Sequence, residues 1–214
     1  MEEYEGDKVF SLCCTQLDCK PSEQSKIAAA WCELFSSQQL PIEKLWVVSR
    51  ISQKILNAIC CQKNLNSLWI KWGVYNDISK LANLENLEYL HLGGGASLDN
   101  VDVLARLAKL KSLEADCLFA IHDYSHLVGL KNLTDLAVYG DGLASNKRVK
   151  LNSLGFLVEM PQLERLDLCM VKVEDGSYLP ITKLPNLKFL GLPRDKNLGK
   201  DRVEIDAFIK RLGI

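Results

Sequence analysis

The leucines of KLANLENLEYLHLGGG, residues 80–95, fall at 81, 84, 87, 90 and 92. Three steps of three are followed by one step of two. An α-helix asks for apolar residues at steps of three and four, and a half-buried strand asks for steps of two. Neither period runs through the stretch, so one short unit must hold two kinds of local structure. The same spacing returns in LARLAKLKSLEA from Leu104, LVGLKNLTDLAV from Leu127, LVEMPQLERLDL from Leu157 and ITKLPNLKFLGL from Ile181. ICCQKNLNSLWI from Ile59 fits with Gln62 in one leucine slot, and IEKLWV from Ile42 is a partial copy. Aligned on the leucine before the two-step, the copies lie at Leu45, Leu68, Leu90, Leu113, Leu136, Leu166 and Leu190, at intervals of 23, 22, 23, 23, 30 and 24.

A fixed period of this length marks stacked units, each burying its leucines only against its neighbours. The chain resembles the leucine-rich repeat family, whose core reads L-x-x-L-x-L, over residues 40–195. LENLEYLHL, LKNLTDLAV and LPNLKFLGL resemble the short-repeat subclass that includes bacterial internalins. The resemblance implies an α/β solenoid: a curved parallel sheet on the concave side, with short helices and turns on the convex side. In the family the ninth position of each core is usually Asn, forming a ladder that ties backbone groups between turns. Here that position reads Arg50, Gly73, Gly95, Leu118, Asp141, Val171 and Asp195. The ladder is therefore absent there, and less regular turns are expected.

The L-x-L pair belongs on a strand, where alternate side chains share a face. The leucines before it belong to a returning segment. ISQKILNAICC carries Ile51, Ile55 and Ile59 at steps of four, with Ser49 or Ser52 available as a cap. DNVDVLARLAKL reads as a second helix capped by Asp99 and Asn100, whereas SYLPITKLP, with its prolines, reads as a short turn. Terminal repeats need covers. Residues 1–40 form an N-terminal cap, with VFSLCC as an extra strand and a helix starting at an N-cap Ser22, which turns Ile27, Trp31, Leu34 and Phe35 to one side. Residues 41–198 hold about seven repeats with a protruding loop at 141–152 carrying Lys147, Arg148 and Lys150, and residues 199–214 form a capping helix.

Composition narrows function. A formal net charge of −1 argues against general nucleic-acid binding, which needs a basic face. No apolar run reaches the roughly eighteen residues of a membrane span. The N-terminus MEEYEGDKVF lacks the apolar core of a signal peptide, and eight cysteines point to free thiols in a reducing cytoplasm. HDYSH sets His122 and His126 four apart, but Asp123 replaces the needed Glu and no third ligand is evident, so they read as surface histidines. LGGGASLDN lacks a phosphate-loop pattern, and its glycines read as allowing a tight turn. No cofactor is expected, the spacing of Ser, His and Asp fixes no nucleophile–base set, and the caps are expected to leave no room for a catalytic domain.

The informative surface is the concave face. Its three rows of outward positions include Trp46, Trp69, Lys71, Tyr89, His91, Glu114, Asp116, Asp135, Tyr139, Arg165, Asp167 and Phe189. Aromatic residues beside charges suit protein interfaces. Glu114, Asp116, Asp135 and Asp167 are expected to repel one another and to favour a partner protein with a basic patch. The resemblance implies a non-enzymatic protein-binding scaffold, and more narrowly a bacterial effector or toxin-neutralising immunity protein. The alternative is a carbohydrate- or nucleic-acid-binding repeat protein, or the targeting module of an enzyme complex.

Overall fold

The computed structural model describes residues 4–95, 98–193 and 196–213. Ala96 and Ser97 of the glycine stretch, the ninth-position Asp195, the first three residues and Ile214 lie outside the described residues.

The mixed leucine spacing resolves into two structures. The three-step leucines wind as 3₁₀ turns, which have 3.0 residues per turn and set every third side chain on one face. Leu81 N–H donates to Ile78 O, Leu84 to Leu81 and Leu87 to Leu84. The same chain of bonds runs through Val101, Leu104, Leu107 and Leu110, and through Tyr124, Leu127, Leu130 and Leu133. The two-step pair then enters a strand. All these apolar side chains are buried. DNVDVLARLAKL is accordingly not an α-helix: only Asp102–Arg106 is helical, as a 3₁₀ turn. The fixed step of three leaves no fourth residue for an α turn.

The chain runs β1 (Val9–Leu12), α1 (Pro21–Ser37), β2 (Lys44–Ser52), α2 (Gln53–Ile59), β3 (Ser67–Val74), β4 (Tyr89–Gly93), β5 (Ser112–Asp116), β6 (Asp135–Tyr139), β7 (Val149–Leu151), β8 (Arg165–Cys169), β9 (Val171–Val173), β10 (Phe189–Gly191) and α3 (Arg202–Leu212). One parallel sheet has the order β1-β2-β3-β4-β5-β6-β8-β10. The leucines stack in register: Leu45, Leu68, Leu90, Leu113, Leu136, Leu166 and Leu190 are successive partners. This is the leucine-rich repeat solenoid: an open parallel sheet on one side and short turns on the other, with the core between them.

The ends differ in detail from the sequence reading. α1 starts at Pro21, not after Ser22, because proline with its fixed φ suits the first helical position. Glu23 accepts from the Lys20 backbone N–H at 3.2 Å. Trp31 and Phe35 are buried, and Ile27 and Leu34 pack partly buried beside them. Ser52 caps α2 by accepting from Ile55 N–H, whereas Ser49 is buried and accepts from the Cys14 and Thr15 amides. α3 buries Ile205 and Phe208.

Two further differences concern the turns. A ladder of side-chain amides does tie the repeats together, but it runs one residue ahead of the first core leucine. Asn64, Asn86, Asn132 and Asn186 donate to the carbonyls of Leu40, Lys63, Ala108 and Pro161 in the preceding repeat. The long insertion is also shorter as a loop than 141–152, because β7 pairs in parallel with β9 as a second two-stranded sheet. What remains is held from inside. Asp141 accepts from the amides of Leu143, Ala144 and Ser145, and its own amide donates to Lys147 O.

The Ala144 amide and then the Ser145 hydroxyl, which also donates to the carboxylate, do most to hold the Asp141 carboxyl at about 2, below its ordinary 3.8. A depressed acid stabilises the fold above its unfolded value and loses that contribution as pH falls through its folded one. The 143–145 amide resonances are therefore expected to be constant above pH 5 and to move together as pH falls from 3.8 through 2. Asp141→Ala should bring the low-pH positions to neutral pH. Amide shifts that ignore both the titration and the variant would show that the carboxylate does not order the loop.

Candidate functional site

Side chains between the buried leucines emerge on the concave face because strand side chains alternate. Parallel register lines them up in rows across the sheet. One row runs Lys44, Ser67, Tyr89, Ser112, Asp135, Arg165, Phe189, and the next runs Trp46, Trp69, His91, Glu114, Ala137, Asp167, Gly191. β1 adds Val9 and Ser11 to the edge of the same face.

Within these rows the candidate residues form two groups. In the first, Trp69 stacks on His91 with ring centroids 4.8 Å apart and 22° between planes. His91 Nδ1 lies 2.8 Å from Glu114 Oε2, and Nε2 lies 4.0 Å from Asp116. The hydrogen bond from His91 holds the Glu114 carboxyl below its usual value. Trp46, Trp69, Tyr89, His91 and Glu114 line a hollow of about 150 Å³ with Ser67 and Ser112. Trp46 is 44% exposed and Tyr89 48%, large values for aromatic residues on a packed sheet. Lys71 is exposed on β3, off this hollow.

In the second group, Arg165 lies over the Phe189 ring at 3.8 Å and donates to Asp167 Oδ2 at 3.1 Å. Tyr139 donates its hydroxyl to the same oxygen at 3.1 Å. Burial and then the Asp167 charge push the Tyr139 phenol up to about 12. Gly191 makes room for this carboxylate, since a Cβ there would fall 2.1 Å from Asp167 Oδ1. The small buried Ala137 separates the two groups.

The four carboxylates do not stand as an unpartnered set, although Asp116 only lies 4.0 Å from His91 Nε2 and the set keeps much of its negative charge. Glu114 is engaged by His91, Asp167 by Arg165 and Tyr139, and Asp135 by the Thr134 hydroxyl at 2.6 Å. His91 reaches Glu114, and Tyr139 reaches Asp167, across one strand spacing of about 4.8 Å, whereas Arg165 bonds within its own strand and Thr134 to its chain neighbour. His122 and His126 are held apart in role: His122 Nδ1 lies 2.7 Å from Lys150 O, whereas His126 packs beside Tyr124 and faces Asp102. They precede and enter a 3₁₀ turn, so their four-residue spacing does not put them on one α-helical face.

Sequence reading missed the role of small residues. Ser67 and Ser112 open the hollow, and the three glycines do more than turn the chain. Only Gly94 has a positive φ, +59°, while Gly93 and Gly95 sit against backbone and the Tyr75 ring. Their signal was present in the rows as a Ser, Gly or Ala beside large neighbours.

No protein-family model matches the chain, and no curated protein matches it in sequence. Solved structures do. The chain is similar to internalin C2 from Listeria monocytogenes, with a TM-score of 0.54 and 18% identity over 80% of this chain and 87% of that one. It is also similar to a plant peptide hormone receptor, RGFR1, solved in complex with RGF2, with a TM-score of 0.56 and 16% identity over 76% of this chain. That match spans 26% of the receptor chain. At such identities the likeness is one of fold.

Proposed function

We propose that this leucine-rich repeat solenoid is a non-enzymatic scaffold that binds a partner protein on its concave face. The observation that carries the reading is the set of large aromatic side chains left open there, Trp46, Tyr89 and Phe189, beside carboxylates. Trp and Tyr supply much of the binding energy in protein interfaces, and nothing in the fold requires them to face solvent. The plant receptor of like fold was solved in complex with RGF2, which supports use of such a surface for recognition. A basic patch on the partner follows from Glu114, Asp116 and Asp135 at the middle of the face, with Lys44 and Lys71 at one side setting its orientation. The internalin-like wording of the repeats supports a bacterial effector or a toxin-neutralising immunity protein, and the eight cysteines support a reducing cytoplasm. On this reading residues 1–40 and 199–214 act as caps. Among the described residues, no helix is long and apolar enough to cross a membrane.

The test is site-specific photocrosslinking in cells, with the photoreactive residue at Tyr89 on the concave face, at the 50%-exposed Val158 in the return turn, or at the fully exposed Leu143 in the insertion. A partner captured from 89 and not from 158 is expected. Trp69→Ala should then weaken its affinity by about 2 kcal/mol, or about thirtyfold, with an unchanged melting curve. Capture from 143 or 158 with none from 89 defeats the reading.

A further inference from the structure

The face carries its own example of how it holds a cation. Arg165 lies in the first row, stacked on an aromatic residue of the adjacent strand in that row, and donates to a carboxylate two residues on in its own strand. The pattern is aromatic, cation and carboxylate at neighbouring lattice points. The same three kinds of lattice point recur two strands away in mirror image, with the aromatic residue on the preceding strand and the centre missing. Tyr89 stands in the first row on β4, and Glu114 lies two residues beyond Ser112 in β5. Ser112 occupies the point between them that corresponds to Arg165. It is too short to reach either neighbour's far end, and the hollow of about 150 Å³ extends beside it.

The surroundings of that point favour a positive charge. Asp135 flanks Ser112 on β6, opposite Tyr89. Glu114 accepts from His91 through Oε2, and among the described residues no hydrogen bond reaches its Oε1. Its side chain is 44% exposed. Strand neighbours are about 4.8 Å apart and alternate residues about 6.6 Å apart, so a group above Ser112 reaches all three. Trp69 and His91 close the hollow's other wall as a stacked pair. The geometry points to a receptor site for one arginine side chain of the partner, its guanidinium over Ser112 between Tyr89 and Glu114. Arginine fits better than lysine because a planar guanidinium stacks on an aromatic face while donating sideways to carboxylates.

This inference deepens the concave-face reading and rests on it, yet it is tested without the partner. The probe is Nα-acetyl-arginine methylamide, compared at pH 7.5 and constant salt with the neutral isostere Nα-acetyl-citrulline methylamide. The readout is the indole N–H resonances of the four tryptophans. The arginine probe should shift the Trp69 and Trp46 signals saturably, with a midpoint in the millimolar range, and leave the buried Trp31 unmoved. Citrulline should bind at least tenfold more weakly. Glu114→Gln should weaken the arginine response at least tenfold. Ser112→Arg should abolish it by filling the site in cis, while Ser112→Ala retains it. Equal responses to both probes, a shift that never saturates, or a response unchanged in Glu114→Gln and Ser112→Arg overturns the site. If that happens while crosslinking from Tyr89 persists, the arginine site falls and the binding face stands.

Discussion

Leu113→Asp is expected to unfold the solenoid at room temperature or to lower its melting temperature drastically. Leu113 is 0% exposed and lies on β5, fifth of eight strands, between Leu90 and Leu136 in register. The substitution removes a full leucine's worth of packing, about 2–5 kcal/mol, and leaves a carboxylate with no partner in an apolar layer. In a stack where each repeat is stabilised by its two neighbours, loss at the centre damages both interfaces at once. Leu143→Asp is the control, because Leu143 stands fully exposed at the tip of the insertion. It should change stability by less than about 0.5 kcal/mol. Circular dichroism melts of the two variants decide the matter. A Leu113→Asp protein that melts like the wild type would refute the buried leucine ladder.

Gly93→Ala should be the most damaging single added methyl group. The β4 backbone approaches β3 so closely that a Cβ at Gly93 would come 2.2 Å from Lys71 O and 2.6 Å from Ile70 O. Both obstacles are backbone and cannot rotate away. The Gly93 carbonyl also accepts the buried Tyr75 hydroxyl at 2.6 Å, so any retreat of the strand strains that bond too. Overpacking of this kind costs about 1–3 kcal/mol, or more where backbone must move. Gly129→Ala offers the contrast. It closes a 3₁₀ turn, nothing lies within 4 Å of its added Cβ, and its φ is not positive. It should be neutral or stabilise by about 0.4–1 kcal/mol through a less disordered unfolded chain. Equal losses in the two variants would show that the close strand approach is not what glycine serves here.

Much of the architecture was legible because each repeat speaks only to its neighbours. A step of three followed by a step of two marks which leucines wind and which extend. The parallel rows follow from the interval between copies. Two local readings failed for reasons of chain geometry. DNVDVLARLAKL has caps and helix formers, yet the three-step stacking of its leucines makes this return segment a 3₁₀ turn and overrides that propensity, whereas the segment after β2 stays α-helical. KRVKLN reads as loop, yet its Val149 and Leu151 are buried where β7 meets β9, a pairing set by the insertion itself.

The sequence by itself determined the repeat period, the buried leucine columns and the identity of the residues in each outward row. These depend on spacing along the chain, and spacing is written in the sequence. The tertiary structure alone decided which charged groups have partners. Tyr139 and Asp167 meet across 28 residues, and His91 and Glu114 across 23. Whether such side chains touch depends on register, on rotamer and on the room left by Gly191 and Ala137. That is why four acidic letters read as a repelling cluster in one dimension, whereas in three dimensions Glu114 is bonded to His91, Asp135 to Thr134, and Asp167 to Arg165 and Tyr139.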